Sequence, residues 1–399
     1  MSARRWALAV KTGAVVAVVA ALVGFAHFSC GVPIARAVLG VPVSDPGFVI
    51  QLAALVVGTA TLAIVGAAAR PHVLIAEGAI CVLAWGAAGL VFLAVLVGLW
   101  SLLEATRFGR ARFVMALVVI AAPAVCASIG GTIAIGALVF SVMFGMRLAV
   151  YSYERYQNDT AVSLVAFLVY ILPAPLIVIP PYMAIVPRFG AFAADVSQPR
   201  LREAARHLAL AGAFAAILAA HRYLVGTDVR PLAYPFVHLV AELLDFAALV
   251  HLVMAALLVH GLEVTPPIDR PALATSFLEL WRRFGTHLRD AQLFLFYTPA
   301  ILRLRRVNRY LAIVLATTWT MVIGNTVLHV AIRYCFLADP WPRIGWALVA
   351  NGVMTIALAC ELCLGEWRRR RGVEPEVTAV RRVVGWAATM TLAATVFAL

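Results

Sequence analysis

Two apolar stretches of this sequence carry side chains able to move a proton where no water reaches. In the run 232–260, His238, Glu242 and Asp245 stand at i, i+4 and i+7, so they share one helical face, with His251 and His260 further along. In TMVIGNTVLHVAIRY, Asn325 and His329 are one helical turn apart. A charge at bilayer depth costs about 2.5–3.5 kcal/mol on insertion scales, so such residues mark a functional site or a polar cross-link of the bundle. A neutral imidazole in a dry site takes a hydroxyl proton when it lies within hydrogen-bond reach. His329 beside Asn325 fits that chemistry, and it also fits a hydrogen bond tying helices together. The His238–Glu242 spacing suits two metal ligands, but a metal site needs a third, so no metal is expected. Glu77 and Glu361 are lone acids in apolar segments, with no partner legible in the sequence.

The elements that position these groups follow from composition. The chain has 399 residues, 64% hydrophobic and 13% charged, with a mean hydropathy of +0.97. Soluble domains are nearer 45–50% apolar and about 25% charged, so the composition implies an all-α polytopic membrane protein. The net charge of +13 is carried almost wholly by arginine, Lys11 being the sole lysine. These arginines sit in short loops between apolar runs, where they mark the cytoplasmic side and meet anionic lipid rather than nucleic acid. Cys360 and Cys363 form a C-E-L-C with no second pair among the six cysteines, and read as small packing residues. No GxSxG, Walker loop, GxGxxG or HExxH is present, so a soluble-style hydrolase, ATPase or dehydrogenase is not supported.

Runs long enough to span fall near 6–28, 49–69, 73–103, 112–127, 130–153, 162–186, 206–224, 232–260, 309–334, 343–365 and 380–398, about eleven in all. The first reads as an uncleaved span rather than a signal peptide. The run 73–103 is too long for one upright helix and must tilt, kink near Gly86 and Gly89, or fold as a hairpin. Arg-rich connections at 188–206, 263–308 and 366–382 are placed in the cytoplasm. The chain reads as a single integral membrane domain over 1–399. Within 263–308, Phe277, Leu280, Trp281, Phe284 and Leu288 recur at helical spacing, with Arg282, Arg283, Thr286, His287 and Arg289 on the remaining surface. Pro266, Pro267 and Pro271 separate this amphipathic or re-entrant helix from the span before it.

Four blocks, in order, resemble the membrane-bound O-acyltransferase (MBOAT) family, in its bacterial branch that acetylates polysaccharides or D-alanylates teichoic acid. FGMRLAVYSYERY at 144–156 is similar to that family's S-Y-x-x-D-x-Y block. LPAPLIVIPPYMAIVPRFGAF at 172–192 is similar to its G-P-I-x-R-Y block, with Arg188-Phe189 on the Arg-aromatic pair. The stretch from Ala241 to Phe284 is similar to the long segment ending S-x-x-E-F-W-R-R-W, with Asp245, Pro271, Ser276, Glu279, Trp281, Arg282 and Arg283 in place. TMVIGNTVLHV resembles the block carrying the family's invariant histidine, and aligning His329 with it takes a one-residue shift. Where the family has a His or Asn after Arg-Arg-Trp, this chain has Gly285, with His287 two residues on.

The resemblance covers about 140–335, flanked by N-terminal spans over 1–130 and C-terminal spans over 343–398. It implies transfer of an acyl group, short by analogy with this branch, from a thioester donor to a hydroxyl of a cell-envelope glycan or glycolipid. His329 is then the general base, Asn325 orients it or faces the oxyanion, and His287 stands in for the missing polar residue. Asp245, Glu242, Glu279, Trp281, Arg282 and Arg283 line the substrate path, and the arginines meet a donor phosphate. No tightly bound cofactor is implied. The co-substrate is an acyl-CoA or an acyl-carrier protein at the cytosolic face, with an extracytoplasmic partner compatible with the branch, and the location is the bacterial inner membrane. A non-catalytic scaffold of the same fold and a secondary transporter or flippase are the competing readings.

Overall fold

A computed structural model describes residues 46–62, 64–84, 87–105, 135–158, 161–178, 186–193, 199–225, 234–304, 306, 308–326, 341–373 and 379–398. Among the described residues the chain is helical and forms no strand, apart from a single bridge between Ile268 and Phe284. Among the described residues, three helices are long and apolar enough to cross a membrane: Leu201–His221, Leu239–Val259 and Leu348–Arg371. The segments near 6–28 and 112–127 lie outside the described residues, and the others of the eleven fall on helices, most of them shorter than a full span. The run 73–103 is two helices, α2 (Arg70–Leu83) and α3 (Ala87–Ala105), preceded by α1 (Pro46–Leu62). A Cβ on Gly89 would overlap the Val82 carbonyl, so glycine permits the close approach of α3 to the end of α2. The run 162–186 is not one span, because Pro173 divides it into α5 (Leu164–Ile171) and α6 (Ala174–Val178), α4 being Ile135–Asn158.

The chain divides into two compact units, 1–213 with 248–265 and 214–247 with 266–399. Helices α8 (Leu201–Val225) and α9 (Tyr234–Val259) contribute to both. In the first unit α2 packs on α1 and on the α5–α6 corner, where Gly78 meets the Leu172 backbone. An aromatic knot of Tyr151, Phe167, Tyr170, Phe192 and Phe189 joins α4, α5 and the short helix α7 (Phe189–Ala193), with ring centroids 4.9–5.8 Å apart. Glu104 at the end of α3 accepts from Tyr151 at 2.6 Å and holds Arg155 at 2.7 Å. Burying an arginine beside an apolar knot is tolerable only with such a partner. His207 of α8 and His251 of α9 face each other with Nδ1 atoms 2.8 Å apart.

The second unit is built round α10 (Phe277–Arg283), α11 (Thr286–Gln292), α12 (Thr298–Leu304), α13 (Arg309–Trp319), α14 (Trp341–Arg371) and α15 (Ala379–Ala398). Its core joins Leu239 and Leu243 of α9, Phe277 and Leu280 of α10, Leu358 of α14 and Met390, Ala393 and Ala394 of α15. Gly385 of α15 lies against the Thr275 carbonyl, and Trp386 donates to the Ala272 carbonyl at 2.8 Å. Thus α15 fixes the turn that opens α10.

The corner at Gly78 yields a paired test. Gly78→Ala forces the Leu172 backbone to move and is expected to cost roughly 1–3 kcal/mol. Gly98→Ala, in α3 with nothing within 4 Å of the added carbon, is expected to gain up to about 1 kcal/mol of helix propensity. Thermal unfolding of the two variants in detergent checks both signs.

Candidate functional site

The segment before α10 folds back on it. Thr286 donates through its N–H to the Pro267 carbonyl at 2.8 Å and through its hydroxyl to the Pro266 carbonyl at 2.7 Å. Asp269 N–H donates to the Arg283 carbonyl at 2.8 Å. The α10 start is closed from two sides. Ser276 Oγ accepts from Glu279 N–H at 3.1 Å, and Glu279 Oε2 reaches back to Thr275 N–H at 2.8 Å and its hydroxyl at 2.9 Å. These bonds are a capping box shifted by one residue, satisfying donors that a helix start leaves open. From α14, Glu361 accepts from Phe277 N–H and Leu278 N–H, both at 2.8 Å. Glu361 is therefore not a lone acid: it clamps α10 at the positive end of its dipole.

Glu279 is also the partner that fixes one of the two arginines. Its Oε1 accepts from Arg283 Nε at 3.0 Å and Nη2 at 2.6 Å, while Arg282 points to solvent. Burial raises the Glu279 carboxyl, but the Thr275 N–H and hydroxyl and the Arg283 guanidinium outweigh it and hold it below the ordinary range. Trp281 packs partly buried against the core.

The amphipathic helix expected over 277–289 is in fact two helices. Gly285 has φ 70°, in the left-handed region that favours glycine, and it breaks the run between α10 and α11. Consequently Phe284 leaves the helical stripe and packs edge-on against Phe246 of α9, ring centroids 5.2 Å apart. Thr286 and His287, expected on the polar surface, are buried at 9% and 5% exposure.

After α11 the backbone widens. Leu293–Tyr297 is π-helical, and so is Thr320–Thr326 after α13. The two π-helical stretches pack together, with Gly324 against Phe296 and Gln292. Between them lies a chain of buried amides. Asn325 Nδ2 donates to Asn351 Oδ1 of α14 at 2.6 Å, and Gln292 Nε2 approaches Asn325 Oδ1 at 3.5 Å. All three are at most 4% exposed, and Gln292 Oε1 has no partner. An amide acceptor left open in an apolar interior costs about 1–3 kcal/mol, so this atom is poised to accept from a hydroxyl or N–H brought to it.

Of the sequence-chosen residues, Asn325, His287, Glu279, Trp281, Arg282 and Arg283 belong to the second unit, and Asp245 lies on the part of α9 belonging to that unit. Glu242 is one turn before it on the same helix, and its side chain lies outside the described residues, as does His329 entirely. Sequence reasoning missed Gln292 and Asn351. Each is an amide within an apolar helix, and that was the available signal.

The first unit holds a second buried polar cluster. His260 Nδ1 donates to the Ala256 carbonyl at 2.7 Å, and its Nε2 lies 2.8 Å from Glu77 Oε1 and 3.3 Å from Thr59 Oγ1. Thr59 gives its own proton to the Leu55 carbonyl at 2.6 Å. One proton therefore lies between Glu77 and His260. Acid and hydroxyl face the same ring nitrogen, so this is not a nucleophile–imidazole–acid relay. Glu77, like Glu361, has a partner far along the chain. No group of three metal-ligating side chains occurs among the described residues. In comparison with known proteins, the sequence matches no family model and no curated protein.

Two measurements test the clamp. Glu361→Ala leaves two helix-start donors open and is expected to cost roughly 1–3 kcal/mol, read as a lower unfolding temperature and faster proteolysis at 266–285. Because the folded Glu279 carboxyl lies below its ordinary value near 4.5, its stabilisation is complete above that value. It is lost as pH falls through the depressed folded value. Acid titration of unfolding in wild type against Glu279→Gln is expected to show that loss in the wild type only.

Proposed function

We propose that this chain is a membrane-embedded O-acyltransferase of the MBOAT type. In this reading it crosses the bilayer about eleven times in a bacterial inner membrane. It moves an acyl group, short by analogy with the branch, from a thioester donor to a hydroxyl of an envelope glycan or glycolipid. The observation that carries the reading is the π-helical stretch Thr320–Thr326, which occupies the block leading to His329. A π-turn holds one residue more than an α-turn. A turn of this kind has room for the one-residue shift needed to align His329 with the family's histidine, which supports the reading.

Further support comes from pairing of the resembled blocks. In the first unit, Glu154 of the first block accepts from Gly190 N–H of the second at 2.9 Å, and Tyr151 packs on Phe189. In the second unit, Gln292, eight residues beyond the end of the third block, approaches Asn325 of the fourth at 3.5 Å. Under this reading His329 takes the acceptor's proton, and Asn325 with Gln292 steadies the acceptor or the developing oxyanion. Arg282 meets the donor's phosphate, and Arg283 is held by Glu279. The donor is an acyl-CoA or acyl-carrier protein.

A second reading, a proton-coupled transporter, is favoured by the Glu77–His260 pair, a buried acid and imidazole sharing one proton.

The test is alkali-releasable acyl ester on envelope glycans of a deletion strain, complemented with wild type or with His329→Ala at equal membrane abundance. The wild type is expected to restore the ester, and His329→Ala to lower it by about a hundredfold or more. Equal restoration by both removes His329 from the chemistry. No ester change on deletion rejects acyl transfer and moves the transporter reading ahead.

A further inference from the structure

Near the end of α14, three arginines, Arg309 of α13 and Arg369 and Arg370 of α14, gather round one acid. Glu366 is 3% exposed, and its Oε1 accepts from Arg370 Nε at 3.0 Å and forms an ion pair with Arg309, whose Nε lies 2.9 Å away. Its Oε2 holds Arg369 at 3.2 Å. With Arg368 and Arg371, five arginines stand near this one carboxylate among the described residues. An arginine run at a helix end is ordinarily a solvated face with mobile side chains. Here a buried carboxylate gathers three of them at one point.

The mode of gathering matters. Arg309 and Arg370 both use Nε, so the paired Nη groups of each guanidinium are left over, and no described residue takes them. Stacking on Tyr310, 5.4 Å from its centroid, further fixes Arg370. Two immobilised guanidinium forks side by side match the oxygens of a phosphate, which arginine grips in bidentate fashion. These side chains are 53–71% exposed, so the forks are open to a ligand.

The surroundings say which phosphate. The same helix exposes Ile356 at 66%, Leu364 at 44% and Trp367 at 39%, and Arg371 stacks on Trp367 with its guanidinium 4.7 Å from the ring centroid. Apolar exposure that ends in a tryptophan and then arginines is the pattern of a helix passing from hydrocarbon through the headgroup layer. We propose that Arg309, Arg369 and Arg370, organised by Glu366, form a binding site for the phosphate of an anionic phospholipid headgroup. The proposal rests on α14 crossing a membrane, not on acyl transfer.

The full-length protein, purified in a neutral detergent, is titrated with phosphatidylglycerol, phosphatidylcholine or inorganic phosphate. Unfolding temperature and lipid retained in native mass spectrometry are read. Phosphatidylglycerol is expected to be retained and to raise the unfolding temperature, while phosphatidylcholine and inorganic phosphate do neither. The double variant Arg309→Lys with Arg370→Lys keeps every charge and a partner for Glu366 but loses both forks. It is expected to retain roughly tenfold less phosphatidylglycerol. Should it not fold, Arg369→Gln, whose side chain is 71% exposed, is expected to lower retention severalfold. Unchanged retention in the variant that folds would overturn the proposal. So would phosphatidylcholine held as well as phosphatidylglycerol, or a shift from inorganic phosphate equal to that from the lipid.

Discussion

A helix of seven residues does not stand by itself, because its nucleus costs more than so few internal bonds return. The existence of α10 (Phe277–Arg283) therefore depends on Glu361, whose two oxygens take the N–H groups that open it. Much in the second unit follows from that contact. It anchors the most basic and aromatic segment of the chain to the long helix α14. It sets the start from which Glu279 reaches Arg283. It leaves the helix end to Gly285, whose left-handed backbone turns the chain into α11 and buries His287.

The Gly285 turn bears on the contrast between catalyst and scaffold. Gly285, at the position where the proposed MBOAT reading would call for a polar side chain, carries none and has a backbone conformation that glycine adopts without strain. The buried amides Gln292, Asn325 and Asn351 lie just beyond the turn, and together they bring both donors and an open acceptor into an apolar interior.

Composition alone made the helical class legible, since apolar runs of this density leave the backbone no other way to satisfy itself. The Ser276–Glu279 start and the Glu279–Arg283 pair were legible because both are local, three and four residues apart. The partners of Glu77 and Glu361 were not, because those pairs lie 183 and 84 residues apart. Periodicity misread 277–289 as one helix: a left-handed glycine interrupts the count while leaving the apolar residues nearly in phase. The π-helical stretches were equally invisible, since a single added residue in a turn does not disturb hydropathy. The long helices fell short of the eleven apolar runs among the described residues, since a corner such as Pro173 shortens a helix without making the run less apolar.

Helix α14 carries three of these features on one rod: Asn351 in the amide chain, Glu361 at the clamp and Glu366 among the arginines. At 1.5 Å per residue, the clamp lies roughly 15 Å along the axis from Asn351, and Glu366 roughly 22 Å. The rod is thus a ruler. A molecule whose charged end rests among the arginines brings a reacting group to the amides only if its arm spans about that distance. A shorter ligand must stop short of the interior, and a longer one must fold. On the proposed readings of the two sites, chain length would count beside headgroup chemistry in what the protein accepts.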